Sequence, residues 1–268
     1  MNKKLLILLT ITSLNLLAYS DYDMDGVDDK IDQCPNTLFS ELVGPNGCTI
    51  KTLELKGEQH FDIIYGVNLS QANYTTTKKT DTITQSLQVD YYDKDFSVQV
   101  STSYYTSDDD SGTNDSYVGA YYRLFPMDKL TLRLGAGIIL PTYKSELDNN
   151  NLDLTSSINA SYMLENSNIF AGYSYTLVND DDVAGIASYQ NTSSFSMGIG
   201  FYPEKDFYVS GSYNSSESIY QGTDDIDTLS LYGFYNINIS WFTSFSYEYG
   251  LSDSASDNSV TLRLGYYF

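Results

Sequence analysis

Histidine is almost missing from this sequence: His60 is the one copy, so any imidazole-dependent nucleophile would have a single candidate base. Basic residues are also few, 14 Lys and Arg against 35 Asp and Glu, for a formal charge of −21. Such acidity argues against a nucleic-acid partner and favours cations. Past residue 17 no apolar run approaches the roughly 18 residues of a spanning helix. Helix formers are scarce, and only two cysteines occur, Cys34 and Cys48.

The first twenty residues have the layout of an export signal. Lys3 and Lys4 precede an apolar stretch over 5–17, and Ala18-Tyr19-Ser20 offers small residues for cleavage before Asp21. That stretch is too short to span as a helix, and the absence of Cys at the cleavage position excludes a lipid-anchored start. Loss of Lys3 and Lys4 would take the charge from −21 to −23. In an exported chain the default state of Cys34 and Cys48 is a disulfide.

What the chain does contain is aromatic and turn-forming: 26 Tyr, 12 Phe and abundant Ser, Thr, Asn, Asp and Gly, a composition that favours an all-β fold. Composition shifts near residue 50. Residues 21–50 hold the acidic run, both cysteines and two of the five prolines; 51–59 read as a polar linker, and 60–268 as a series of alternating segments. In 129–140, Leu130, Leu132, Leu134, Ala136, Ile138 and Leu140 share one face, and Thr131, Arg133, Gly135 and Gly137 the other. Segments 95–106, 194–202 and 257–268 alternate in the same way, the period of a strand with a different solvent on each side.

About twelve strands are predicted, near 60–73, 81–92, 95–106, 115–125, 129–140, 151–164, 168–178, 190–202, 206–216, 225–235, 239–250 and 257–268. Tight turns near 93–95, 126–128, 165–167, 203–205 and 236–238 alternate with longer acidic loops at 107–114, 141–150, 179–189, 217–224 and 251–256. A soluble sandwich could alternate too, but it needs neither this rhythm of connections nor a closing strand. The slightly negative mean hydropathy does not count against a membrane barrel, because only every second residue faces lipid.

On these features 60–268 resembles the bacterial outer-membrane β-barrels. Aromatics placed near the short turns (Tyr91, Tyr122, Phe125, Phe201, Tyr202, Phe207, Tyr235, Trp241, Phe242) suit an interfacial belt. The ending Gly265-Tyr266-Tyr267-Phe268 resembles the C-terminal signal of such barrels. The resemblance implies an antiparallel transmembrane barrel in the outer membrane, with both termini on the short-turn, periplasmic rim.

Alternation then sends Asp62, Asp90, Arg123, Arg133, Glu248 and Arg263 into the lumen, since charge facing lipid is costly. All but Glu248 fall toward the periplasmic half, either as a salt-bridge layer that plugs the barrel or as a charged constriction that filters solutes. Inward Gly66, Gly119, Gly135, Gly198 and Gly200 would leave room, and inward Tyr92, Tyr105, Tyr121, Tyr208 and Tyr232 would remove it. Twelve strands lie between the filled eight-stranded barrel and the open sixteen-stranded one. Some barrels of this size are enzymes, but His60 sits at the periplasmic end rather than near the outer rim or lipid face, so no enzyme is expected.

The expected function is a porin-like channel for small solutes, cations favoured. The alternative is a non-conducting structural or adhesive surface protein with a possible cell-wall or surface partner. The charge expectation rests on Asp108, Asp109, Asp110, Asp115, Asp180, Asp181, Asp182, Asp224 and Asp225 at the loop rim, against only Lys78, Lys79 and Lys144.

Ahead of the barrel, the pattern Asp-x-Asp-Gly-x-x-Asp-x-x-Asp-x-Cys-Pro runs from Asp23 to Pro35 and resembles a thrombospondin type 3 repeat. The resemblance implies calcium and, more distantly, cell adhesion. The spacing agrees on chemical grounds. With Asp21 as position 1, Asp23, Asp25, Asp29 and Asp32 fall at 3, 5, 9 and 12 of a calcium loop, Val27 offers its carbonyl at 7, and Gly26 permits the turn. Asp32 is shorter than the usual closing Glu, so weaker binding is expected.

Overall fold

The computed structural model describes residues 32–33, 59–73, 79–108, 110–144 and 149–268. The chain divides into two units, Met1–Gly57 and Glu58–Phe268, and the second is the barrel. The export signal, residues 51–58 of the expected linker, the cysteines and the acidic-loop residues Asp21, Asp23, Asp25, Val27 and Asp29 lie outside the described residues, and Gln59, read as the linker's last residue, is the first of the barrel's first strand.

Among the described residues thirteen strands follow in order: β1 (Gln59–Ala72), β2 (Thr80–Asp93), β3 (Phe96–Ser107), β4 (Ser111–Thr113), β5 (Ser116–Met127), β6 (Leu130–Leu140) and β7 (Asp153–Met163). Then come β8 (Ser167–Leu177), β9 (Thr192–Glu204), β10 (Phe207–Ser216), β11 (Ile226–Asn236), β12 (Trp241–Gly250) and β13 (Asn258–Tyr267). Each long strand pairs antiparallel with its sequence neighbours, and β1 pairs with β13 from Asp62↔Tyr267 to Gln71↔Asn258. That pairing, with β2 on β3, closes a twelve-stranded ring and removes both sheet edges. The extra strand, β4, lies in the expected loop 107–114 and pairs only with the end of β3.

The distribution of side chains is inside out. Large apolar residues such as Ile63, Leu87, Ile199, Leu231 and Leu262 stand exposed on the outer wall, while the buried residues are mostly polar, among them Asp62, Asp90, Ser97, Asn168, Ser210 and Ser244. A water-soluble sandwich would reverse this, so the outer wall is built for hydrocarbon. The chain is an antiparallel transmembrane β-barrel.

Connections alternate as predicted. β2 and β3 are joined by two residues, of which Lys94 has φ 53°, the positive value that a two-residue hairpin needs at one centre. β5 and β9 contain Pro126 and Pro203 beside their short turns, and the ladder slips there, between Leu124 and Met127 and between Phe207 and Val209. Proline has no N–H to give, so the strands bulge at those points. Both ends of the barrel lie on the short-turn rim, where Phe268 N donates to Phe61 O at 2.8 Å.

An aromatic belt follows that rim on the outside, with Phe61 against Tyr91 (4.8 Å between ring centres), Trp241 against Tyr266 (4.8 Å) and Tyr266 against Phe268 (4.7 Å). Two residues expected in the belt are not part of it. Phe242 points inward, 6% exposed, against the Gly265 backbone, and Tyr202 packs inside against Tyr208 at 4.7 Å. Each is an even-numbered neighbour of an outward residue, and the strand's period of two decides its side.

Candidate functional site in the lumen

The inner wall has two halves. On β5 and β6 it is packed with rings laid over glycines. Tyr117 covers Gly119 and Gly137, Tyr121 covers Gly135, and the two hydroxyls hydrogen-bond at 2.8 Å. Arg133 lies over the Tyr121 ring, its guanidinium carbon 3.6 Å from the ring centre. The expectation that Gly66, Gly119, Gly135, Gly198 and Gly200 leave open space is therefore corrected. A Cβ at Gly66 would meet Ser86 and Arg263; at Gly198, Phe170; at Gly200, Tyr208 and Asn168. These glycines are seats for neighbouring side chains, not gaps.

Along β7 to β13 many inward positions are short and polar, with rings such as Tyr208 and Phe242 toward the short-turn end. A cavity of about 520 Å³ opens there, lined by Ser157, Asn159, Ser174, Ser194, Ser196, Ser212, Asn214, Thr228, Ser230, Ser244, Ser246 and Thr261, with Glu248 and Arg263 among its walls. A second cavity of about 490 Å³ shares Asn159, Ser196, Ser212 and Tyr232 with the first, and reaches Phe170, Asn168, Tyr208, Arg123 and Arg133. The shared residues make the two cavities neighbours along one polar path. Hydrogen bonds such as Ser174–Ser194 at 2.6 Å and Asn214 Nδ2 to Ser230 Oγ at 2.7 Å organise the wall.

The six inward charges stand as follows. Asp62 and Asp90 face each other across β1 and β2, and Arg123 faces Arg133 across β5 and β6. Arg263 is opposite Gly66 and Ser244, and Glu248 opposite Ser230 and Ser259. Like charges directly across a ladder repel, so both pairs cost stability unless something offsets them. Gln88 Nε2 donates to Asp90 Oδ2 at 2.8 Å, and Arg133 and Arg263 act on Asp90 through space. Arg123 is held by the Lys94 carbonyl at 3.2 Å.

Among the described residues no arginine lies within 4 Å of Asp62 or Asp90, and the Oδ1 atom of each is buried without a hydrogen-bond partner. Among the described residues the salt-bridge layer that would plug the barrel is therefore not seen. Arg133 lies on a ring and Arg123 against a carbonyl on their own side of the lumen. His60 turns inward, its Nε2 3.8 Å from Asp62 Oδ1 and its ring stacked on Tyr92 at 4.6 Å.

At the long-loop rim the acids tie the loops together. Asp115 Oδ1 accepts from Tyr143 N (2.9 Å) and Asn150 Nδ2 (2.8 Å), Asp180 Oδ1 from Asn151 N (2.8 Å), and Asp182 Oδ1 from Tyr189 N (2.7 Å). Glu217 Oε2 accepts from both Ser193 N (2.7 Å) and Ser193 Oγ (2.8 Å), which holds its carboxyl below the usual glutamate value. The serine wall could have been read from the sequence, since Ser or Thr recurs at every second position in 192–196, 228–230 and 244–246. The ring seats could not, because they depend on cross-strand register.

No protein-family model matches the chain, and no curated protein matches it. Solved structures do. An outer membrane channel from Pseudomonas putida F1 superposes with a TM-score of 0.62 at 11% identity, over 78% of this chain and 95% of that one. The NanC porin superposes with a TM-score of 0.55 at 15% identity, over 77% and 98%. At these identities the likeness is one of fold, and the shared fold is the closed outer-membrane type of barrel.

Proposed function

We infer that the barrel is an outer-membrane channel for small solutes, with its short turns and N-terminal leader in the periplasm. The observation that carries this reading is the polar path of two adjoining cavities between the serine wall and the ring-packed wall. A barrel built only as an anchor would gain by filling that space, as eight-stranded barrels do. The channel and porin to which the fold is similar support it. Planar-bilayer recording on the refolded full chain tests it: discrete conductance steps in KCl are expected. A folded, heat-modifiable barrel that never conducts would return the protein to the structural or adhesive reading, which the tyrosine packing of β5 and β6 favours.

The leader is proposed to hold calcium through Asp21, Asp23, Asp25, Asp29, Asp32 and the Val27 carbonyl, closed by a Cys34–Cys48 disulfide. The support is the oxygen-ligand spacing in the sequence. Calcium titration of the full chain should show one weak site that Asp25→Ala removes. An unchanged titration in that variant would sink the assignment.

A further inference from the structure

We propose that the solute this lumen takes is uncharged and rich in hydroxyls, of the chemical class of a mono- or disaccharide. The inference rests on the channel reading and adds a substrate class to it. Two independent features of the wall carry it.

The first is the chemistry of the open half. Ser174, Ser194, Ser196, Ser212, Ser230 and Ser246 line the larger cavity, together with threonines and asparagines. A hydroxyl both donates and accepts, so such a wall can replace the water around a solute that carries hydroxyls of its own, whichever way these point. The charged residues of this cavity, Glu248 and Arg263, are of opposite sign, so neither sign of solute is favoured along its length. Its volume, about 520 Å³, falls in the range of roughly 300–1,000 Å³ occupied by small-molecule sites.

The second feature is aromatic. Phe170 stands at an inward position, cross-strand from Gly198, whose missing side chain makes room for its ring. There the ring lines the smaller cavity with Tyr208 and Tyr232, whose rings are 6.3 Å apart. A saccharide has C–H faces that pack on rings and hydroxyl edges that meet a polar wall, so it uses both surfaces at once. Arg133 lies on the Tyr121 ring and Arg123 donates to the Lys94 carbonyl, contacts that hold both against the wall without cancelling their charge, so a sugar acid is the competitor the test must include.

The test is the effect of added sugar on ionic current through the refolded full chain. Maltose should reduce the KCl current saturably, and galacturonate or glucosamine at the same concentration should reduce it less. Phe170→Leu keeps apolar packing over Gly198, and Ser230→Ala removes a hydroxyl with little change in volume. Each should raise the half-blocking maltose concentration by about three- to tenfold, with KCl conductance within about twofold. A conducting channel that ignores maltose, or one blocked more strongly by the sugar acid, overturns the inference and leaves the channel reading intact. If the chain does not conduct, the channel reading fails by itself. Calorimetry of the micelle-held protein with maltose then decides: a saturable heat, lost in Phe170→Leu, supports the saccharide site, and no heat overturns it.

Discussion

Two glycines on adjacent strands show how differently one residue type can be used. Gly198 points inward, and a Cβ there would run into the Phe170 ring and the Gly211 carbonyl, one of which is backbone and cannot step aside. Gly211 points outward, and the nearest atom to a Cβ there is Ser230 O at 3.8 Å, an ordinary contact. Gly198→Ala should therefore cost about 1–3 kcal/mol through overpacking. Gly211→Ala should be neutral or stabilise by up to about 1 kcal/mol, since the unfolded chain loses freedom and the strand gains propensity. Equilibrium urea unfolding of the refolded barrel, followed by fluorescence, measures both. Equal effects at the two positions would show that the ring seat has no energetic weight. The same contrast explains why inward glycines looked like empty space in the sequence: only the register tells which ring lies over which glycine.

At the level of elements, the loops are braced by their own carboxylates. Glu217 begins the β10–β11 connection and is fastened to Ser193 of β9 by two donors on one oxygen, with Glu217 N donating to Ser193 O at 3.0 Å. Those donors favour the charged form, so the folded carboxyl titrates below its unfolded value. A depressed carboxyl contributes stability that is present above the unfolded value, near 4.3, and lost as the pH falls through the folded one. Proteolysis of the 217–225 loop in the intact barrel should thus accelerate when the pH is lowered through and below about 4. Glu217→Gln, which keeps the shape but not the charge, should already cut faster at neutral pH. A pH-independent rate in both proteins would mean the contact does not hold the loop.

The strands themselves were legible. All twelve fall within two residues of the segments read from alternation, because the two faces of each strand meet different solvents and the pattern is imposed at every second residue. The inward placement of Asp62, Asp90, Arg123, Arg133, Glu248 and Arg263 followed from the same period. What alternation could not supply is the lateral arrangement: that Asp62 opposes Asp90, that Arg133 lies over Tyr121, and that Phe242 falls opposite Gly265. Those depend on the register between neighbouring strands, which a period of two leaves open. The short β4 was also missed, since three residues hold no measurable period.

For the whole molecule, the lumen and its mouth carry different charge balances, and their competition sets ion selectivity. Inside, Asp62, Asp90 and Glu248 stand against Arg123, Arg133 and Arg263, so the sum over these six is neutral and no net preference arises from them. At the long-loop rim the described acids include Asp108, Asp110, Asp115, Asp180, Asp181, Asp182, Glu217, Asp224 and Asp225, with Lys79 and Lys144 as the nearby bases. Hydrogen bonds from backbone N–H groups orient several of these acids without cancelling their charge. The resulting field raises the cation concentration at the mouth and decays over about 10 Å at 0.1 M salt. The channel should therefore be cation-selective under a KCl gradient, and the preference should shrink as salt is raised. Replacing Asp180, Asp224 and Asp225 together by Asn should move the reversal potential toward zero, while Arg133→Gln should make the channel more cation-selective by unbalancing the interior. An anion-selective reversal potential in the unmodified protein would mean that the opposed arginines of β5 and β6, and not the loops, govern which ions pass.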